Sequence, residues 1–172
     1  APPELEAMRY FLWLNPERSN LFFANAVLIV EGLSEQILIN YLIRTGELVT
    51  NSQGLFVLET LGKYNIPRFM SLLGEFKIAH AVLLDTDENK TGREKEKQED
   101  LNRLIRESRN DHTKAIEKLP GNLERFLDIS VEPERWKKAS QVLLAVQHGN
   151  VDSSRLGEFK AIIRRLLEAL AS

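Results

Sequence analysis

Two aspartates separated by one threonine, Asp85 and Asp87 in "AVLLDTDENK", follow an apolar run, and a glutamate, Glu31 in "NAVLIVEGLSEQ", follows another. Glu35 comes four residues after Glu31, so one helical turn carries both carboxylates to the same rim. Carboxylates held within a few ångströms repel one another strongly at low dielectric. A divalent cation relieves that repulsion, and hard oxygen donors suit Mg²⁺, Mn²⁺ or Ca²⁺. A plainer reading stands beside this one. A D-x-D is common in solvated turns, Glu31 alone could be a strand-end acid, and Glu35 alone could be a first-turn partner of the helix dipole. The joint placement of the four acids is what points to a cation.

The segments around these acids alternate between two periods. "NAVLIVEG" (25–32), "GLFVLET" (54–60) and "IAHAVLLDTD" (78–87) read as short strands: continuous apolar runs, rich in β-branched residues and stopped by polar ones. Between them lie helical patterns. Ser34 stands where an N-cap belongs, with Ile37, Leu38, Tyr41 and Leu42 on one face of the helix that follows. "IPRFMSLLGEF" has Pro67 near its start. Strands alternating with helices of this length predict crossover units and a mainly parallel sheet, whose ligand sites form at the carboxyl ends of the strands. After Asp87 the chain turns polar: "ENKTGREKEKQED" (88–100) fits a solvated loop or the start of a helix. "LNRLIRES" is helical, and 113–129 holds a Pro-Gly turn and a short amphipathic helix. Two further helices are expected over about 133–147 and 153–171. The division expected is a lead-in segment over 1–24 following an absent N-terminal domain, an α/β core over 25–130, and a small helical part over 131–172.

Composition narrows the function. The chain has 172 residues, 43% hydrophobic and 28% charged, which suits one folded domain of ordinary size. It has no cysteine, which excludes disulfides, zinc–thiolate sites and cysteine nucleophiles and accords with a cytoplasmic protein. No apolar run approaches a membrane span and no signal-peptide pattern opens the chain. Residues 1–90 carry 7 basic and 11 acidic side chains, and residues 91–172 carry 16 and 14, so nothing like a strongly basic nucleic-acid footprint exists. Contact with nucleic acid is therefore local or shared with a partner. The "APPELE" opening, without methionine, is read as that of a fragment of a larger protein.

In order and spacing, "LIVEGLSE", "LGKYN" and "LLDTDEN" resemble a Toprim domain, the catalytic α/β module of type IA and type II topoisomerases, bacterial primases and certain nucleases. More narrowly, the chain resembles the Toprim region of OLD-family (overcoming lysogenization defect) nucleases, which follows an N-terminal ABC-type ATPase. "LFFANAVLIVEGLSE", "VLETLGKYNIPRFMSLL", "VLLDTDEN" and "LPGNLERFL" carry that likeness, which covers roughly residues 10–145. It implies a Toprim-like, mainly parallel sheet flanked by helices, and a hydrolase that cuts DNA with two Mg²⁺ or Mn²⁺ ions, Ca²⁺ being a non-productive substitute. By the same likeness Glu31, Glu35, Asp85, Asp87 and Glu124 are the acidic ligands, with Glu31 and Asp85 also catalytic. The family's basic residue lies in a Lys-Pro-like segment. "ERWKKASQVLLAV" matches it best, giving Lys138 with Lys137 behind it, although Ala139 stands in place of the proline; Lys160 in "GEFKAIIRR" is the fallback.

Other residues are read more plainly. "LGKYN" lacks the Walker A pattern, so this chain has no ATPase of that kind; Lys63 is either a surface lysine at a turn or a phosphate contact. Arg103 and Arg106, with Arg109, share a helical face that is either solvated or, with Lys63 and Lys137, a DNA-backbone contact. His80 is read as packed within its strand. Trp13 and Trp136 are read as packing anchors rather than base-stacking platforms. The partners expected are DNA and the ATPase domain of the parent protein, through which the chain could oligomerise; no membrane is expected. Topoisomerase and primase activities lack the extra modules they need. The rival reading is a non-catalytic Toprim-like scaffold that binds DNA or protein.

Overall fold

The run "AVLIV" forms β1 (Ala26–Val30), and all five of its residues are buried. A strand with both faces covered needs no polar alternation, which is why this one reads as unbroken aliphatic sequence. The computed structural model describes residues 20–51, 53–87 and 90–172. After β1 come α1 (Leu33–Arg44), β2 (Leu55–Glu59), a one-turn 3₁₀ segment (Lys63–Asn65), α2 (Ile66–Glu75), β3 (Ala79–Asp85), α3 (Gly92–Glu107) and β4 (Thr113–Leu119). They are followed by the short α4 (Leu123–Phe126), then α5 (Arg135–Gln147) and α6 (Ser153–Ala171).

The four strands are all parallel, in the order β2-β1-β3-β4, giving a Toprim-like α/β fold. The chain leaves β1 for β2 on one side, then crosses back to β3 on the other. Leu28, Val30 and Leu83 pack with Leu38 and Leu42 of α1 on one face. Val27, Ile29 and Val82 pack with Phe69, Met70 and Leu73 of α2 and Ile105 of α3 on the opposite face. A change of direction with helices on opposite faces is what crossovers of a single hand require, and it opens a crevice beyond the carboxyl ends of β1 and β3.

The expected strands and helices fall where the periodicity puts them, with one addition. "TKAIEKL" is β4, an edge strand paired to β3, and not only the approach to a turn. Its lysines are exposed while Thr113 and Leu119 are buried, so no continuous apolar run advertises it. The first part of the charged stretch after Asp87 leads into α3, whose only fully buried residue is Ile105. Ser34 lies inside the first turn of α1; the N-cap is Gly32, with no side-chain cap bond. Residues 131–172 share one apolar core with the sheet: Val142 of α5 and Phe159, Ile163 and Leu166 of α6 join the cluster that holds Leu28 and Leu83.

Candidate active site

Each acid singled out in the sequence sits where an element ends. Glu31 follows β1, Glu35 lies in the first turn of α1, Asp85 ends β3, and Glu124 lies in the first turn of α4, whose N-cap Asn122 accepts a bond from Arg125 N at 3.1 Å. Glu31, Glu35 and Asp85 line one depression of about 290 Å³ together with Glu59, Arg135 and Lys138. Glu31 and Asp85 thus open into the same crevice. Glu35, Asp85 and Glu124 are 5%, 6% and 5% exposed, so three carboxyl groups stand almost out of water.

That burial has an electrostatic cost. Desolvation raises the Glu31 carboxyl to about 6, with Asp87 adding to the rise and Lys63 opposing it. Desolvation raises Glu35 to about 7, helped by Glu124 and Glu31. Asp85 is pushed well above its ordinary range, again first by burial and then by Glu35, Glu31 and Asp87. At Lys138 burial works against the ammonium, but the hydrogen bond and charge of Glu124, with Glu35 and Asp85, outweigh it, and the shift is upward. Its Nζ lies 3.0 Å from Glu124 Oε1.

Lys63 is the departure from expectation. It is not a surface lysine at a turn: it is 3% exposed and donates to Asp85 O at 2.7 Å and to Asp87 Oδ2 at 2.5 Å, with Glu31 Oε2 at 3.9 Å. The "LGKYN" loop holds it there. Asn65 N donates to Gly62 O at 3.1 Å and Asn65 Nδ2 to Thr60 O at 2.8 Å, closing the loop around the lysine. Gly62 takes φ 120°, a value side chains avoid. Asp87 itself is left-handed at φ 52°, a cost of about 1–2 kcal/mol that Asp bears better than most residues. Its backbone N donates to Gly121 O at 3.1 Å, and Gly121 N donates to Thr86 Oγ1 at 2.8 Å, so the D-T-D segment is tied to the turn after β4.

The donors suit a hard cation in kind: they are carboxylates, several of them buried, and Glu31 Oε2 is buried without a hydrogen-bond partner. Their present arrangement is not yet a ligand shell. Among the described residues no three or more His, Asp or Glu side chains are grouped to hold a metal ion.

Two participants escaped the sequence reading. Glu59 ends β2 as Asp85 ends β3, is 3% exposed, and pairs with Arg135 at 2.9 Å across the depression. The strand-end rule applied to Asp85 finds Glu59 equally well. Arg135 also covers the ring of Trp136 at 5.8 Å, and Trp136 is 67% exposed, not a packing anchor. It stands in the first turn of α5. Trp13 and the acid after Asp87 lie outside the described residues.

The basic residues distribute unevenly. Lys138 lines the depression, while Lys160 pairs with Glu47 at 3.1 Å and does not. Lys137 is exposed and pairs with Glu132 and Glu134. Arg103 and Arg106 are exposed on α3, Arg103 being paired with Asp100 at 2.7 Å. His80 is buried, with its ring nitrogens 3.0 Å from Ile78 O and 2.8 Å from Thr113 Oγ1, and burial lowers its pKa. Among the described residues no helix is long and apolar enough to cross a membrane.

Comparison with known proteins gives a family match over part of the chain. Residues 22–87 match the TOPRIM domain of overcoming lysogenization defect protein-like sequences. No curated protein matches. Among solved structures, the chain is similar to the C-terminal region of the Burkholderia pseudomallei OLD protein, at 18% identity and TM-score 0.42, over 87% of this chain and 88% of that one. It is also similar to the C-terminal region of the Xanthomonas campestris pv. campestris OLD protein, at 17% identity and TM-score 0.43, over 87% and 85%. The matched span contains β1, β2 and β3 with Glu31, Lys63, Asp85 and Asp87, and over it the chain is similar to the TOPRIM domain of overcoming-lysogenization-defect (OLD) protein-like sequences.

Proposed function

We propose that the chain is the nuclease part of a larger ATPase-nuclease and hydrolyses phosphodiester bonds in DNA with bound Mg²⁺ or Mn²⁺. One observation carries the reading: Glu35 and Asp85 are buried with raised pKa values in a depression shared with Glu31 and Lys138. A fold gains nothing from burying mutually repelling acids unless something positive joins them. Glu31, Glu35, Asp85, Asp87 and Glu124 would hold the cations. Two bound divalent ions would supply an activated water and charge relief at the leaving oxygen. Lys138 reaches the rim from α5 at 35% exposure, anchored by Glu124, and brings positive charge to the pentacovalent phosphate. Arg135, fixed at one end on Glu59, keeps further N–H donors for the phosphate that enters. Lys137, Arg103 and Arg106 are exposed cations for flanking phosphates.

The larger context is part of the same proposal. An N-terminal ABC-type ATPase domain would control the nuclease and provide any oligomeric contact, in the cytoplasm. A plasmid-cleavage assay of this chain in Mg²⁺, Mn²⁺, Ca²⁺ and EDTA, with Asp85→Ala alongside, tests the chemistry. Metal-dependent nicking or linearisation, absent in the variant, supports a nuclease. DNA binding without cleavage in any metal, unchanged in Asp85→Ala, would make the chain a scaffold instead.

A further inference from the structure

We propose that Lys63 is a built-in counter-ion that occupies the acidic crevice when metal is absent and competes with the divalent cation for Glu31 and Asp87. The proposal rests on the metal-site reading above. Lys63 is a buried ammonium whose neighbours are the strand-end acids themselves: Asp87 Oδ2 at 2.5 Å, the Asp85 carbonyl at 2.7 Å and Glu31 Oε2 at 3.9 Å. It therefore bridges the ends of β1 and β3, the two strands that flank the crevice.

The surrounding geometry fits that role. Lys63 is delivered by a closed loop, pinned by Asn65 N on Gly62 O and Asn65 Nδ2 on Thr60 O, so the ammonium is aimed rather than left to wander. Among the described residues no three acids are grouped into a ligand shell, and Glu31 Oε2, the acid atom Lys63 approaches without hydrogen-bonding, is buried and unsatisfied. A divalent ion sharing Glu31 and Asp87 would lie beside a like charge at close range, where repulsion is strong. The ammonium then has to leave as the ion enters. Lys63 would hold the acids together without metal, keep a weakly bound ion out, and lower the affinity of the site.

This role differs from simple packing in what Lys63→Met does. Calorimetric titration of Mn²⁺ into the chain should show Lys63→Met binding about tenfold or more tightly than the unaltered protein. The metal-free variant should melt lower than the unaltered protein, and saturating Mn²⁺ should close most of that gap. A structural lysine gives the opposite pattern, with a melting defect that persists in Mn²⁺ and an affinity that is unchanged or weaker, and that result overturns the proposal. Should the variant not fold, the unaltered chain answers by NMR of its lysine ¹⁵Nζ groups. A buried, hydrogen-bonded ammonium gives a slowly exchanging signal without metal, expected to vanish at saturating Mg²⁺; its persistence at saturation refutes displacement. Absence of any divalent binding to either protein overturns the metal-site reading and this proposal with it. Tight binding that is equal in both proteins overturns this proposal alone.

Discussion

A carboxylate oxygen of Glu35, Oε2, lies 2.9 Å from the point a β-carbon on Gly32 would occupy. Gly32 has extended backbone at φ −138°, so conformational freedom is not what its position requires. The absent side chain is what lets a buried acid fold back over the N-terminus of α1. Gly32→Ala should cost up to about 1 kcal/mol and weaken divalent binding, because the Glu35 carboxylate must turn away from its present position. In a Glu35→Ala background the same change should cost less than about 0.5 kcal/mol. Chemical denaturation of the four proteins closes the cycle, and additive costs would mean the two residues do not meet.

Neutralising one buried acid should stabilise the metal-free protein. Asp85→Asn keeps the shape, removes a charge that burial and three neighbouring carboxylates oppose, and is expected to add about 1–2 kcal/mol at pH 8 in EDTA. The same substitution should bring DNA cleavage to background. Urea denaturation beside plasmid cleavage measures both, and a destabilised variant would mean that Asp85 is held by favourable contacts.

Stability without metal should fall as pH rises, the reverse of the usual carboxylate behaviour. Glu31 and Glu35 are raised from an ordinary 4.5 to about 6 and about 7, so between these limits the folded chain holds protons that the unfolded chain has released. Where the native state binds more protons, unfolding free energy decreases with pH. The contribution is present below about pH 4.5 and is lost progressively to about pH 7, with Asp85 acting in the same direction. The loss is of the order of a few kcal/mol. Saturating Mg²⁺ should flatten it, because the ion takes the place of the protons. Urea midpoints at pH 5, 6, 7 and 8 would show it; a midpoint that rises with pH in EDTA would rule it out.

Lys138 and Lys160 separate the two lysine candidates. Lys138→Met leaves the buried Glu124 without its partner and should cost about 1–3 kcal/mol at pH 8. It should also slow cleavage about 100-fold. Lys160→Met breaks only a pair with Glu47 and should leave the cleavage rate within about twofold. Single-turnover cleavage rates decide the assignment, and a larger loss at Lys160 would reverse it.

Trp136 should be energetically dispensable. With 67% of its surface in water and the Arg135 guanidinium on its ring, Trp136→Ala should change stability by no more than about 0.5 kcal/mol. Thermal denaturation measures this directly; a loss of several kcal/mol would mean that the ring is packed in solution.

Local pattern in the sequence was enough for much of this protein. The runs 26–30 and 79–85 declare themselves as strands because central parallel strands are buried on both faces, 55–59 keeps a short apolar run although it is an edge strand, and α5 and α6 follow from their helical spacing. The acids after β1 and β3 are equally legible, since a charge at the end of an apolar run marks the place where the chain leaves the core. The tertiary structure decided the rest. β4 is an edge strand with exposed lysines, so pairing with β3 rather than its own pattern makes it a strand. The side of α5 that faces water depends on how that helix meets α1, which is why Trp136 read as core and lies outside it. Lys63 shows the limit most clearly. Its burial is set by Asp85 and Asp87, more than twenty residues away, and no local period records which distant charge a lysine will meet.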